Sequence, residues 1–123
     1  MRMITKEQPK EEVLKEIVIA YDAFLYNEYE ERVDDLEEML NDVQSGKSVW
    51  YSIASTNAEY DDDMMFDAEI NFVEMKVRYS VRGTVVKEDK FDSYHEMLMF
   101  VKYASFDELV SDDNFPGYSK YED

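Results

Sequence analysis

The sequence predicts an α+β fold, and three observations point there. Apolar residues recur at steps of three or four over the first third of the chain, which is helical spacing. They alternate with polar residues over the middle third, which is strand spacing. Two Ser-x-x-Glu patterns then open short apolar runs, as capping boxes do. Grouped elements of this kind give a long N-terminal helix packed on a three- to four-stranded antiparallel sheet, followed by one or two short helices.

The helix begins near Pro9, with Glu11 and Glu12 suited to its first turn. Leu14, Ile17, Tyr21, Leu25, Tyr29, Val33, Leu36, Leu40 and Val43 form the apolar stripe, and Ser45-Gly46 ends it, with Gly as a left-handed cap. At 1.5 Å per residue such a helix runs roughly 50 Å. A break near Asn27 is compatible with the pattern, although no Gly or Pro requires one. Val49, Tyr51 and Ile53 alternate with Trp50, Ser52 and Ala54, and Asn57 to Asp63 reads as an acidic turn. Phe66, Ala68, Ile70 and Phe72 share a strand face; at Val73-Glu74 the phase flips to Met75, Val77, Tyr79 and Val81, through either a bulge or a tight turn. Arg82-Gly83 reads as a hairpin turn into Thr84-Val85-Val86. Ser93 with Glu96 and Ser105 with Glu108 open the two short helices. No boundary divides the chain, so residues 1–123 are expected to form one domain, with 112–123 a loosely held acidic tail carrying a Pro116-Gly117 turn.

Charge is the strongest functional signal. Thirty acids face thirteen Lys and Arg, a formal net charge of −17. With 45% hydrophobic residues, the chain has enough apolar content for a core and is not a disordered acidic tail. A field of this sign repels nucleic acid and anionic membranes and steers basic partners inward. There is no cysteine, hence no disulfide or thiolate metal site. The N-terminus shows no apolar signal region and no stretch is long enough to span a bilayer, so a cytoplasmic location is expected.

The acids are clustered. Eight lie between Glu28 and Asp42 with Arg32 as the only base, and seven lie between Glu59 and Glu74 with none. On a continuous helix Glu28, Glu31, Asp35, Glu38 and Asp42 would line one face, with Asp34 beside them, at about 5 Å spacing along the axis. A DNA strand carries one phosphate about every 3.4 Å. Like charges at i,i+4 cost a few tenths of a kcal/mol each, a cost that a Lys- and Arg-bearing partner would relieve. The expected partner-binding residues are therefore this row together with the Glu59, Tyr60, Asp61, Asp62 and Asp63 loop. A simpler reading of each acid is a solvated polar face. Bases collect on the expected hairpin, at Lys76, Arg78, Arg82, Lys87 and Lys90.

In layout and charge the chain resembles phage-encoded DNA-mimic inhibitors, including anti-CRISPR proteins that block CRISPR effector nucleases and anti-restriction proteins. The resemblance spans most of the chain without a diagnostic motif. It implies a non-catalytic anti-defence protein in the host cytoplasm, whose carboxylates stand in for phosphates in the cleft of a basic nucleic-acid-binding protein, such as a CRISPR effector or restriction enzyme. The basic hairpin departs from a uniformly acidic mimic; it contacts an acidic patch of the partner or pairs with the protein's own acids. Two other readings compete. One is an immunity protein or antitoxin that neutralises a basic nuclease toxin through a few aromatic anchors. The other is a metal-dependent nuclease, from Glu74-Met75-Lys76 with acids upstream, although the Pro-Asp pair of that pattern is missing and the net charge repels the substrate. His95 is a lone histidine without a nucleophile motif. Asp112, Asn114, Gly117 and Asp123 follow calcium-loop spacing only loosely. No cofactor is expected, no direct contact with nucleic acid or membrane is expected, and the long helix leaves room for a homodimer.

Overall fold

The computed structural model describes residues 10–55, 66–111, 114 and 115. Their order is α1 (Lys10–Tyr29), α2 (Leu36–Gln44), β1 (Tyr51–Ser55), β2 (Phe66–Asn71), β3 (Lys76–Val81), β4 (Thr84–Lys90), α3 (Tyr94–Tyr103) and α4 (Phe106–Leu109). The expected α+β layout is present, with the strands in one antiparallel meander of order β1-β2-β3-β4.

The single helix expected to reach Ser45 is instead two helices. Glu30, just past α1, adopts a left-handed φ of 57°. The Asp22 carboxylate accepts the Val33 backbone N–H at 2.9 Å and pairs with Arg32 at 3.2 Å, fixing the chain after the bend. Asp35 then caps α2 by accepting the Glu38 N–H at 3.0 Å. The acids explain the break. A continuous helix would stack Glu30 on Asp34, Glu31 on Asp35 and Asp34 on Glu38, each pair repelling. Breaking it removes those contacts and turns one acid into an N-cap, which contributes about 1 kcal/mol. The apolar stripe survives: Leu14, Ile17, Tyr21 and Val43 are buried, and Leu25, Tyr29, Val33, Leu36 and Leu40 pack against the core. Gly46, with φ 90°, ends α2 in a Schellman arrangement, in which Lys47 N–H donates to Asp42 O and Gly46 N–H to Val43 O.

The phase flip at Val73-Glu74 is a tight turn between two strands. Asn71 builds it: its Oδ1 accepts the N–H groups of Val73 and Glu74, and its Nδ2 donates to Ser48 Oγ. The fully buried Asn71 side chain is thus satisfied. Arg82 and Gly83 form the two-residue loop between β3 and β4, both with positive φ, as a type I′ turn requires. Ser93 and Ser105 cap α3 and α4 by accepting the N–H groups of Glu96 and Glu108.

Phe66, Ala68 and Ile70 of β2 and Val77, Tyr79 and Val81 of β3 join α1, Met97, Leu98 and Val101 in one core. Phe115 stacks on Phe66 with centroids 4.0 Å apart and is fully buried, and Asn114 accepts the Lys87 ammonium. At these two positions the expected loose tail is anchored; residues 112, 113 and 116–123 lie outside the described residues.

Candidate functional site: an acidic surface around three tyrosines

The site is built where α1, α2 and the edge strand β1 meet. A bulge takes Ile53 out of the β1–β2 ladder, between Ser52 opposite Glu69 and Ala54 opposite Ala68. Two α1 tyrosines, one above the other at i and i+8, reach across to this irregularity. Tyr21 donates its hydroxyl to Ser52 O at 2.8 Å and Tyr29 donates to Ile53 O at 2.6 Å. A buried phenol needs such an acceptor and a bulge carbonyl needs such a donor, so each satisfies the other. Tyr51 completes the group, 5.9 Å from the Tyr21 ring, and both rings also lie against Phe72. Tyr21, Leu25, Tyr29, Glu31, Ser52, Ala54 and Ser55 line a depression of about 300 Å³ beside β1.

The expected acidic residues distribute unequally around this group. Glu31, exposed just beyond α1, stands on the rim of the depression. Burial raises the Tyr21 pKa first, then the neighbouring phenols and Glu31 add to it. Tyr29 is pushed up to about 12 by burial, then by Glu28 and Glu31. Tyr51 is raised by burial, then by Asp42 and Glu38 on α2. Glu28 and Glu31 thus act on the tyrosines that wall the depression, and Glu38 and Asp42 act on Tyr51 beside them. Asp42 is half-exposed and has Lys47 at 3.8 Å as a distant counter-ion.

Two of the remaining acids, Glu28 and Asp35, serve the fold. Glu28 accepts the Phe106 N–H at 2.9 Å, tying the end of α1 to the start of α4. Asp35 is the α2 cap, and Asp34 is exposed in the connection before it. The helix break thus replaces the single-face row with a split arrangement: Glu28 and Glu31 near Tyr29 at the end of α1, Glu38 and Asp42 of α2 near Tyr51. Glu59, Tyr60, Asp61, Asp62 and Asp63 lie outside the described residues. The sequence placed Tyr21 and Tyr29 in the apolar stripe but gave no sign of their hydroxyl partners. The available signal was two tyrosines eight residues apart on one helical face, whose hydroxyls each needed an acceptor.

Lys76, Arg78 and Lys87 of the hairpin are engaged within the protein. Arg78 Nε and Nη2 both lie 2.8 Å from Glu69 Oε1, and the guanidinium sits 4.0 Å from the Trp50 ring centroid. Lys76 lies 3.8 Å from Glu74 and 3.7 Å from Glu88, and Lys87 lies 3.5 Å from Asp89. Of the two origins considered for the basic hairpin, pairing with the protein's own acids accounts for these contacts. Glu74 also accepts the Ser48 hydroxyl, at 2.6 Å, and His95 is exposed on α3. Among the described residues no group of three His, Cys, Asp or Glu is placed to hold a metal ion, and no helix is long and apolar enough to cross a membrane. Comparison of the chain with protein-family models, with curated proteins and with solved structures gives no significant match.

Proposed function

We propose that this protein is a non-catalytic inhibitor that occupies the basic nucleic-acid-binding surface of another protein, as an anti-defence DNA mimic of the anti-CRISPR or anti-restriction kind does. The observation that carries this reading is the tyrosine-walled depression with Glu31 on its rim, and Glu38 and Asp42 acting on the adjoining Tyr51, in a chain of net charge −17 whose hairpin bases Lys76, Arg78 and Lys87 already pair internally. Carboxylates over aromatic and apolar walls suit an arginine or lysine stem, which packs its methylenes on the rings and presents its charge to the acids. The partner is then a protein that holds DNA or RNA with such side chains, inside the cytoplasm of the host cell. Its binding should weaken as salt rises, because the acids stand where phosphates would.

Affinity capture from a bacterial lysate, with and without competing duplex DNA, tests the proposal. The expected result is a basic nucleic-acid-binding protein, identified by mass spectrometry, that the duplex displaces. A partner that DNA leaves in place removes the mimicry and favours neutralisation of a toxin through aromatic anchors.

A further inference from the structure

The central strands bury one face of the sheet, and their other face is polar. On that polar face Asp67 and Glu69 of β2 stand opposite Ser80 and Arg78 of β3. With Ser52 on β1 and Val85 on β4 they line a depression of about 320 Å³. Ser80 is distinctive among them. It is only 7% exposed, yet its hydroxyl has no hydrogen-bond partner among the described residues. Every fully buried side-chain N or O atom of those residues is partnered, so the Ser80 hydroxyl is the part of that residue open to the depression. It is aimed at whatever enters there.

The two carboxylates narrow the ligand's chemistry. Asp67 Oδ1 accepts the Ser55 hydroxyl at 2.7 Å, and none of the described Lys or Arg residues pairs with Asp67. Glu69 Oε1 holds Arg78 through Nε and Nη2, both at 2.8 Å, while the guanidinium lies against the Trp50 ring. Among the described residues each acid therefore keeps one oxygen, Oδ2 or Oε2, for a ligand. An arginine binds a carboxylate best as a fork across both oxygens, which neither acid offers. A primary ammonium is a compact charge with three donors and needs no fork. Asp67, Glu69 and Ser80 supply three acceptors, the two acids about 7 Å apart along β2 from 3.3 Å per residue. Val85, 46% exposed, gives a methylene stem an apolar wall. The lining sets two carboxylates against one guanidinium, in a molecule of net charge −17, so the field favours a cation.

We propose that this depression binds an alkyl primary ammonium, the group carried by a lysine side chain or a free diamine. The site shares Ser52 with the tyrosine-lined depression but does not rest on the inhibitor reading, because small amines test it with no partner protein present.

Amide NMR titration of the full chain at fixed ionic strength tests the site. The probes are cadaverine, Nα-acetyl-lysine methylamide and Nα-acetyl-arginine methylamide. An ammonium probe is expected to shift the Ser52, Asp67, Glu69, Ser80 and Val85 amides saturably. The arginine probe should bind at least roughly fivefold more weakly than the better ammonium probe. Binding of the lysine probe assigns the site to a lysine side chain, and binding of cadaverine alone assigns it to a free diamine. Asp67→Asn should weaken the ammonium probe by roughly tenfold and Ser80→Ala by roughly fivefold, while Glu12→Gln, at an exposed site on α1, leaves it unchanged. Unchanged spectra away from β2 and β3 verify that the variants fold. No saturable shift with either amine, equal binding of the arginine probe, or binding that Asp67→Asn leaves intact overturns the proposal.

Discussion

Tyr21 and Tyr29 show how one phenol can serve both fold and surface. Their rings supply core area, their hydroxyls satisfy the bulge carbonyls of β1, and their outer edges wall the acidic depression. The arrangement carries a pH signature. The Tyr29 and Tyr79 pKa values are both raised, to about 12, from an ordinary value of 10.0, by burial first and then by nearby carboxylates. A phenol whose folded pKa lies above its unfolded value contributes stability that is complete below about pH 10 and is lost as pH rises toward 12. Alkaline unfolding in that window is therefore expected, accompanied by tyrosinate absorbance. Urea midpoints measured at stepwise pH check this, and Tyr29→Phe should flatten the decline by removing one of the titrating groups. None of this was legible at the residue scale from the sequence. It depends on Ile53 leaving the ladder, and no Gly, Asn or Pro marks that bulge.

At the element scale more of the structure was legible in the sequence. Strand alternation located Phe66, Ala68, Ile70 and Phe72, all of which are fully buried, because period-two patterning in a half-covered sheet has one solution. The Ser93 and Ser105 caps were legible because the capping box is a local chemical motif. The break between α1 and α2 was not, since helical periodicity continues across it and the chain bends without Gly or Pro. Repulsion among the acids and capping by Asp35 decide the matter there. Asp35→Ala should accordingly lower stability by about 1 kcal/mol, while Asp35→Asn, which keeps the cap, should be nearly neutral. Glu30→Gly should raise stability by up to about 1 kcal/mol, because glycine occupies the left-handed region without strain. Urea denaturation of the three variants measures all these effects. The break also separates Glu28 and Glu31, near Tyr29, from Glu38 and Asp42, near Tyr51, so the acidic row expected from the sequence survives only in part as a surface.

Over the whole molecule, Arg32, Lys76, Arg78 and Lys87 are paired with the protein's own acids, while other acids collect beside an aromatic depression. Composition made the sign and size of the field legible, but not its focus, because focus depends on where α2 turns back toward β1. The central claim is that this focus, rather than net charge alone, recognises a basic nucleic-acid-binding surface. The most direct measurement compares two charge reversals of equal size for affinity toward the captured partner as salt is varied. Glu31→Lys with Glu38→Lys reverses acids beside the tyrosines and spares the Asp35 cap; Glu12→Lys with Asp107→Lys changes net charge equally at exposed sites elsewhere. The first pair is expected to lose at least roughly tenfold in affinity and to flatten the salt dependence, while the second keeps most of both. Equal losses from the two pairs, or no loss from the first, would contradict that claim.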